Sequence, residues 1–311
     1  MTKPEKNGSR YIFKSIRTKI LISGGLALLL VAGIIIGYAA ISINGIALEK
    51  AEKDLYAISQ NEKATITSDL NNALDAARTM NEILTAVKTN NISLSREHLD
   101  SILKQVLEDN PRFVGTYAPY EPNAFDGNDA AYVNTNLSDA TGRYLTYCNR
   151  NATTGEFAFE PLFDYEKPGI GNWYVTPKTT LKETLTEPII YPVQGVDVQM
   201  TSLTVPIITD GKFQGITGVD YSLNSIDGRA DAVDEYGGSA RMFIISNGLK
   251  IIAMTGNNTH LGEELTKSGY PYHKDISDEE TAIRTQKEQI VIKDGYLKIL
   301  NPVTIGRTTT P

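Results

Sequence analysis

Residues 20–43 carry no charge and are almost wholly apolar. As a helix, these 24 residues reach about 36 Å at 1.5 Å per residue. That exceeds the roughly 30 Å hydrocarbon core of a bilayer, so the segment can span one with some tilt. Everything after it must therefore fold on one side of a membrane. Lys3, Lys6, Arg10, Lys14, Arg17 and Lys19 precede the segment; Glu49, Glu52 and Asp54 follow it. The positive-inside rule then places residues 1–19 in the cytoplasm and the chain after about residue 44 outside. The other reading is a cleaved signal peptide. The run is long for a signal-peptide core and no A-x-A-like site follows, which favours an uncleaved anchor.

The chain has 311 residues, enough for two modest domains beyond the anchor. Its net charge of −7 argues against a nucleic-acid partner, which calls for a basic face. Cys148 is the only cysteine, so no intrachain disulfide can form. His98, His260 and His273 are scattered, without metal-ligand spacing. No P-loop, nucleophile elbow or kinase signature occurs. The expectation is a binding protein, not an enzyme, with no cofactor and no metal.

Residues 44–90 contain no proline and a single glycine, Gly45. Apolar residues recur in steps of three and four through Ile66, Leu70, Leu74, Ala77, Met80, Leu84 and Val87, predicting one long amphipathic helix. Such a stalk exceeds what one small domain covers. Part of the stripe, Leu70 and Leu74 included, is expected to pack on a second subunit as a homodimer; packing on its own domain is the alternative, and the two can coexist. Ser95 suits an N-cap for a second helix that Asn110-Pro111 ends. Residues 113–118 and 143–150 read as strands, separated by a polar loop over 122–139. Asp126 and Asp129 raise a calcium loop, but their spacing departs from the EF-hand pattern, which favours a solvated loop.

Asp210-Gly211, Asn247-Gly248 and Asp294-Gly295 each separate two apolar runs: 201–208 from 212–220, 240–246 from 249–254, and 289–293 from 296–300. These are hairpin signals, since the tight turn needs positive φ. Residues 224–236 suggest a short helix stopped by Gly237-Gly238, and the later hairpins a smaller β-sheet domain. Val205-Pro206-Ile207 and Asn301-Pro302-Val303 hint at repetition of one unit.

Residues 165–223 hold the candidate site. A Gly-rich turn leads into Trp173-Tyr174, and Asp220 closes a strand of Gly, Ile, Thr and Val. Aromatic rings beside an acid can frame a cation, each worth roughly 0.5–2 kcal/mol. In a turn both aromatics could face one pocket. Tyr191, Thr201 and Ser202 could add hydroxyl hydrogen bonds, with Tyr147 and Tyr165 as weaker candidates. The alternatives are that Trp173 is core and that Asp220 caps the next helix.

Asn172-Trp173-Tyr174-x-x-Pro177, Glu187-Pro188, Thr201-Ser202-Leu203-x-x-Pro206-Ile207 and Gly215-x-x-Gly218-Val219-Asp220-x-Ser222-Leu223 occur in that order. With residues 121–129 and 141–144 they resemble the membrane-distal module of a double Cache (dCache) sensor, the extracytoplasmic ligand-binding region of chemoreceptors and sensor kinases. The resemblance implies an α+β fold: a transmembrane helix and a long stalk helix, then two PAS-like antiparallel β-sheet modules. Its layout would be 1–19 cytoplasmic, 20–43 transmembrane, 44–90 stalk, 91–223 membrane-distal and ligand-binding, and 224–311 membrane-proximal. It also implies a helix back to the membrane after residue 311, leading to a signalling output: a methyl-accepting chemotaxis module or, second, a histidine kinase. In the amino-acid-binding subgroup an Arg two positions before the Trp-Tyr pair holds the ligand carboxylate, and an Asp matching Asp220 holds its amine. Here that Arg position is Gly171. The implied ligand shifts from a standard amino acid toward an amine, a purine-like ring or another small polar metabolite, with Arg143 as a possible replacement cation. An anchored extracytoplasmic enzyme and an adhesive ectodomain are the readings from other classes. A cysteine introduced at Asn128 in a Cys148→Ser background should react with an impermeant thiol reagent on intact cells; labelling only after lysis would reverse the topology.

Overall fold

The computed structural model describes residues 16–151, 153–256, 260–270, 273–293 and 295–306. Asp294 of the third turn and most of the basic N-terminal flank lie outside them. The first helix, α1 (Ile16–Thr89), runs unbroken for 74 residues. The chain divides into two units, residues 1–56 and 57–311. The first holds the one helical segment, among the described residues, long and apolar enough to cross a membrane. Leu28, Ile36 and Ile41 are 73%, 68% and 75% exposed there, an apolar surface suited to lipid.

In the second unit the remainder of α1 packs against α2 (Arg96–Asp109) and one antiparallel sheet. Ser95 caps α2 as expected, its Oγ accepting the His98 N–H at 3.2 Å. The sheet comprises β1 (Phe113–Tyr117), β2 (Thr146–Arg150), β3 (Phe157–Pro161), β4 (Thr184–Leu185), β5 (Ile189–Val193), β6 (Val196–Thr209) and β7 (Lys212–Ser222). Its order is β3-β2-β1-β7-β6-β4, with β5 also paired to β6. A helix, α3 (Asn172–Thr180), sits between β3 and β4 in the chain. Asp210 and Gly211 take φ of 51° and 71° between β6 and β7, the turn that their spacing predicts. β2 starts three residues later than the sequence suggests. The carbonyls of Arg143, Tyr144 and Leu145 are taken by Ser138 Oγ and the N–H groups of Tyr120 and Leu162, so no ladder forms there.

Side chains alternate across the pleat. One face of the sheet, with Leu203, Val205, Ile207, Val219 and Tyr221, meets α1 and α2. Leu70 and Leu74 are 7% and 0% exposed in this core, so the stripe packs on its own domain at these positions rather than on a partner. Thr217 Oγ1 donates to the Ala77 carbonyl of α1 at 2.8 Å, and Tyr221 Oη to Asp69 at 3.3 Å.

The later part of the chain departs most from expectation. Residues 224–236 form one α-helical turn, α4 (Asn224–Asp227), followed by a 3-10 segment, Gly228–Tyr236. Two separate hairpins follow among the described residues, β8 (Phe243–Ile245) with β9 (Ile251–Met254), and β10 (Gln289–Lys293) with β11 (Tyr296–Leu300). The helix α5 (Ser277–Thr285) lies between them. In the β8–β9 turn the positive φ falls on Leu249 (60°), not on Asn247-Gly248. Asn301-Pro302-Val303 directly follows β11, whereas Val205-Pro206-Ile207 lies within β6. The former segment runs along the stalk: Asn301 Nδ2 donates to Ser59 Oγ at 2.8 Å, and the Gly306 N–H to Asn71 at 3.2 Å.

Asp126 and Asp129 of the polar loop are engaged by Arg96, which is only 7% exposed. Its guanidinium donates to Asp126 at 2.8 and 3.0 Å, to Asp129 at 2.8 Å and to the Gly142 carbonyl at 2.8 Å. It also lies 3.8 Å from the Tyr132 ring centre. These acids pin the loop to α2. Arg96→Ala strands one buried and one half-buried carboxylate, and should lower unfolding stability by about 3–5 kcal/mol in urea titration; a loss under 1 kcal/mol would show the loop to be independently held.

Candidate ligand-binding site

The sheet face opposite the stalk carries a second core, built largely of aromatic rings and closed by α3. Gly171 precedes α3, and its carbonyl accepts the N–H groups of Tyr174 and Val175 at 2.9 and 3.0 Å. Trp173 and Tyr174 therefore sit on a helix rather than in a turn; their rings meet edge-on at 5.9 Å, and beyond that contact each faces different partners. Trp173 meets the Tyr117 ring edge-on at 5.3 Å. Tyr174 turns toward Tyr165 and Phe213, at 5.8 and 5.9 Å.

Trp173, Tyr191, Ser202 and Asp220 line one narrow cleft with Tyr117, Leu162, Ile189 and Met200. Ser202 and Asp220 are cross-strand partners on β6 and β7. Ser202 Oγ donates to Asp220 Oδ1 at 2.6 Å and Tyr117 Oη to the same oxygen at 3.1 Å. Among the described residues none donates to Oδ2. The helix-cap reading of Asp220 is excluded, since Leu223 occupies the N-cap of α4. Tyr147 adjoins the cleft, its ring 5.7 Å from Tyr117 and 6.2 Å from Tyr191, and its buried hydroxyl has no hydrogen-bond partner among the described residues. Four aromatic rings thus surround one acid.

Among the described residues no Lys, Arg or His lines the cleft. Burial consequently pushes the Asp220 carboxyl up from 3.8 to about 6, against the opposing hydrogen bonds from Ser202 and Tyr117. Burial, reinforced by the Asp220 charge, also holds the Tyr117 and Tyr147 hydroxyls well above the usual phenol range, so both stay protonated.

Three candidates fall elsewhere. Thr201, next to Ser202 on the strand, points to the opposite face and donates to the Thr186 carbonyl at 2.8 Å. Tyr165 donates to Asp139 at 2.6 Å, and Tyr174 to Glu121. These two tyrosines belong to an adjoining charged cluster in which Lys178 pairs with Glu121 at 2.7 Å. Arg143 lies in that cluster, 3.9 Å above the Tyr165 ring, and does not supply the cleft with a cation. At Gly171 an added Cβ would meet the carbonyl oxygens of Asp164, Lys167 and Tyr165 at 2.6–2.8 Å. No arginine fits there without moving the backbone.

Tyr117 is the main residue that sequence reasoning missed. It opposes Gly218, whose missing side chain makes room for it: a Cβ there would lie 2.1 Å from the tyrosine ring. Gly115 leaves room for Tyr147 in the same way, with 2.2 Å to its ring. The cleft itself offers about 10 Å³, room for about one water. Any larger ligand must displace lining side chains.

A nucleophile–base contact absent from the sequence reading occurs at Ser268 Oγ and His273 Nδ1, 2.7 Å apart. Both residues are buried, at 3% and 4% exposure, and burial drives the imidazole down to about 4. The pair closes a turn rather than facing a substrate.

Comparison with known proteins agrees with this architecture. The family model of the first PDC sensor domain of methyl-accepting chemotaxis protein-like sequences matches residues 99–228, the stretch from α2 through α4 that contains the cleft. The methyl-accepting chemotaxis protein TlpQ of Pseudomonas aeruginosa is 25% identical over 221 residues, 67% of this chain; the match spans 30% of that protein's length. Among solved structures, the extracellular domain of the histidine kinase mmHK1S-Z2 is 30% identical, with a TM-score of 0.68 over 81% of this chain and 92% of its own. A structure named methyl-accepting chemotaxis protein X has the same fold at 21% identity, TM-score 0.66, over 81% of this chain and 91% of its own. The chain belongs to the Cache (PDC) family of extracellular sensor domains shared by chemotaxis receptors and histidine kinases.

Proposed function

We propose that this chain is the sensing region of a transmembrane chemoreceptor that holds a small protonated amine at Asp220. The observation that carries this reading is a buried carboxylate ringed by aromatic side chains with no cation beside it. An uncompensated buried charge is costly, and a ligand ammonium would supply both the missing charge and a donor for Oδ2. Tyr117, Tyr147, Trp173 and Tyr191 would frame that cation. A standard amino acid is disfavoured, because its carboxylate finds no arginine in the cleft. The match to chemotaxis sequences favours a methyl-accepting output; the 30% identity to a histidine-kinase ectodomain supports a kinase as the second reading.

Signalling would start from displacement of the cleft wall. β7 carries Asp220 on one face and Thr217, Val219 and Tyr221, which meet the stalk, on the other. A ligand shifts the stalk only through different affinities for its two arrangements. The N-terminal helix would carry the shift through the membrane, with the sensor outside and the stalk paired in a homodimer through faces other than Leu70 and Leu74.

The Asp220 shift gives a signed test. Between 3.8 and about 6 the folded chain retains a proton that the unfolded chain has released. Stability therefore falls as pH rises through that window, and the cost is complete above it. Asp220→Asn removes the cost. It should raise the unfolding free energy of the free chain at pH 7.5 by on the order of 2–3 kcal/mol, read as a higher melting temperature, and give little advantage at pH 4. A pH-independent difference would mean that Asp220 does not titrate abnormally. Calorimetric titration with the best amine from a screen should show affinity falling below pH 6 and dropping roughly tenfold to hundredfold in Asp220→Asn. Unchanged affinity would place the ligand elsewhere.

A further inference from the structure

A larger cavity lies on the stalk side of the sheet, between α1, the β4–β5 segment, the β8–β9 hairpin and the tail after β11. Its volume is about 270 Å³. Ile66, Leu70, Ile226, Ile244 and Val303 form apolar walls, and among the described residues Glu187 is the only charged one lining it. Glu187 Oε1 accepts the Gly248 N–H at 2.9 Å. Its other oxygen, Oε2, is buried and has no hydrogen-bond partner among the described residues. Gly248 permits this approach, because a Cβ there would lie 2.8 Å from Oε2.

Other polar groups around the cavity are spoken for. Thr186 Oγ1 accepts the Ser202 N–H at 2.9 Å, and Thr201 Oγ1 donates to the Thr186 carbonyl at 2.8 Å. Gln286 donates to the Ile283 carbonyl at 2.7 Å and accepts from Thr304 at 3.0 Å. What is left is one carboxylate oxygen without a donor, at the wall of an apolar space. The volume falls just below that of drug-sized pockets, roughly 300–1,000 Å³, and suits a small molecule.

We propose that this cavity is a second ligand site, taking a small amphipathic organic ammonium ion whose nitrogen pairs with Glu187 and whose hydrocarbon part lies against the apolar walls. The nitrogen donates to Oε2 and neutralises the carboxylate, which no described side chain of the cavity does. The hydrocarbon part displaces water from Ile66 and Leu70 of the stalk, Ile226 of α4, Ile244 of β8 and Val303 of the tail. An occupant here touches the stalk, the distal sheet and the proximal hairpin together. The site is independent of Asp220, which lies on the other face of the sheet.

The test uses the 311-residue chain in zwitterionic lipid nanodiscs, titrated calorimetrically with n-pentylammonium chloride, with empty nanodiscs as the reference. An Asp220→Asn background removes the first site. In that background n-pentylammonium should bind saturably. Adding Glu187→Gln, which keeps the shape and removes the charge, should weaken binding at least tenfold, and n-pentanol should bind at least tenfold more weakly than the ammonium ion. Ile244→Phe, which fills the space and leaves Glu187 intact, should weaken it likewise. The proposal is overturned by an absence of saturable binding in Asp220→Asn, by binding that Glu187→Gln leaves unchanged, or by n-pentanol binding as tightly as the ammonium ion.

Discussion

The stalk helix has one apolar stripe, and the sheet offers one apolar face to receive it. Leu74, Ala77 and Leu84 meet Leu203, Ile207 and Val219 in a single core. The pleat then dictates the rest. With the odd-numbered residues 203–207 of β6 and 217–221 of β7 committed to the stalk, their even-numbered neighbours must face away from it. Ser202 and Asp220 are brought together on that far face by this commitment. A one-residue slip in register would exchange the two faces, burying the acid against the stalk and exposing its leucines.

On the far face, electrostatics and shape conflict. Aromatic packing excludes water, and water is what a carboxylate most needs. The conflict is only partly relieved by Ser202 and Tyr117, which donate to a single oxygen. The chain has positive charge nearby, at Arg143 and Lys178, but spends it on Tyr165, Glu121 and Glu166 in the adjoining cluster. A protein selected for stability alone would have an apolar residue at 220. The presence of the acid there is a reason to propose a function for the cleft.

Local features were legible in the sequence. The stalk, the Ser95 cap and the Asp210-Gly211 hairpin follow from periodicity and turn chemistry within a few residues, and all are present. The acid and Trp173 were also visible as a charge and an indole in an unusual place. What could not be read was long-range pairing. Tyr117 reaches Asp220 because β1 pairs with β7 across about a hundred residues, and nothing local in Phe113–Tyr117 announces that partner. Thr201 falls on the other face for a related reason: the hydroxyl pair Thr201-Ser202 offers two equivalent candidates until the orientation of the strand is known. Tyr174 stands beside the cleft rather than in its wall because a short helix, not a turn, follows the glycine-rich sequence: its ring touches Trp173 at 5.9 Å while its hydroxyl is directed to Glu121.

The tyrosines that shape the cleft stand where they do because Gly115 and Gly218 leave space beneath them. Neither glycine has a side chain with which to touch a ligand, yet each sets how far a ring can lean over Asp220. Selection acting on the contact residues is therefore not the sole route to a new specificity. A lineage that replaced either glycine would tilt a ring and reshape the cleft while keeping the acid and every aromatic side chain. Two receptors with matching contact residues could in that way come to respond to different compounds.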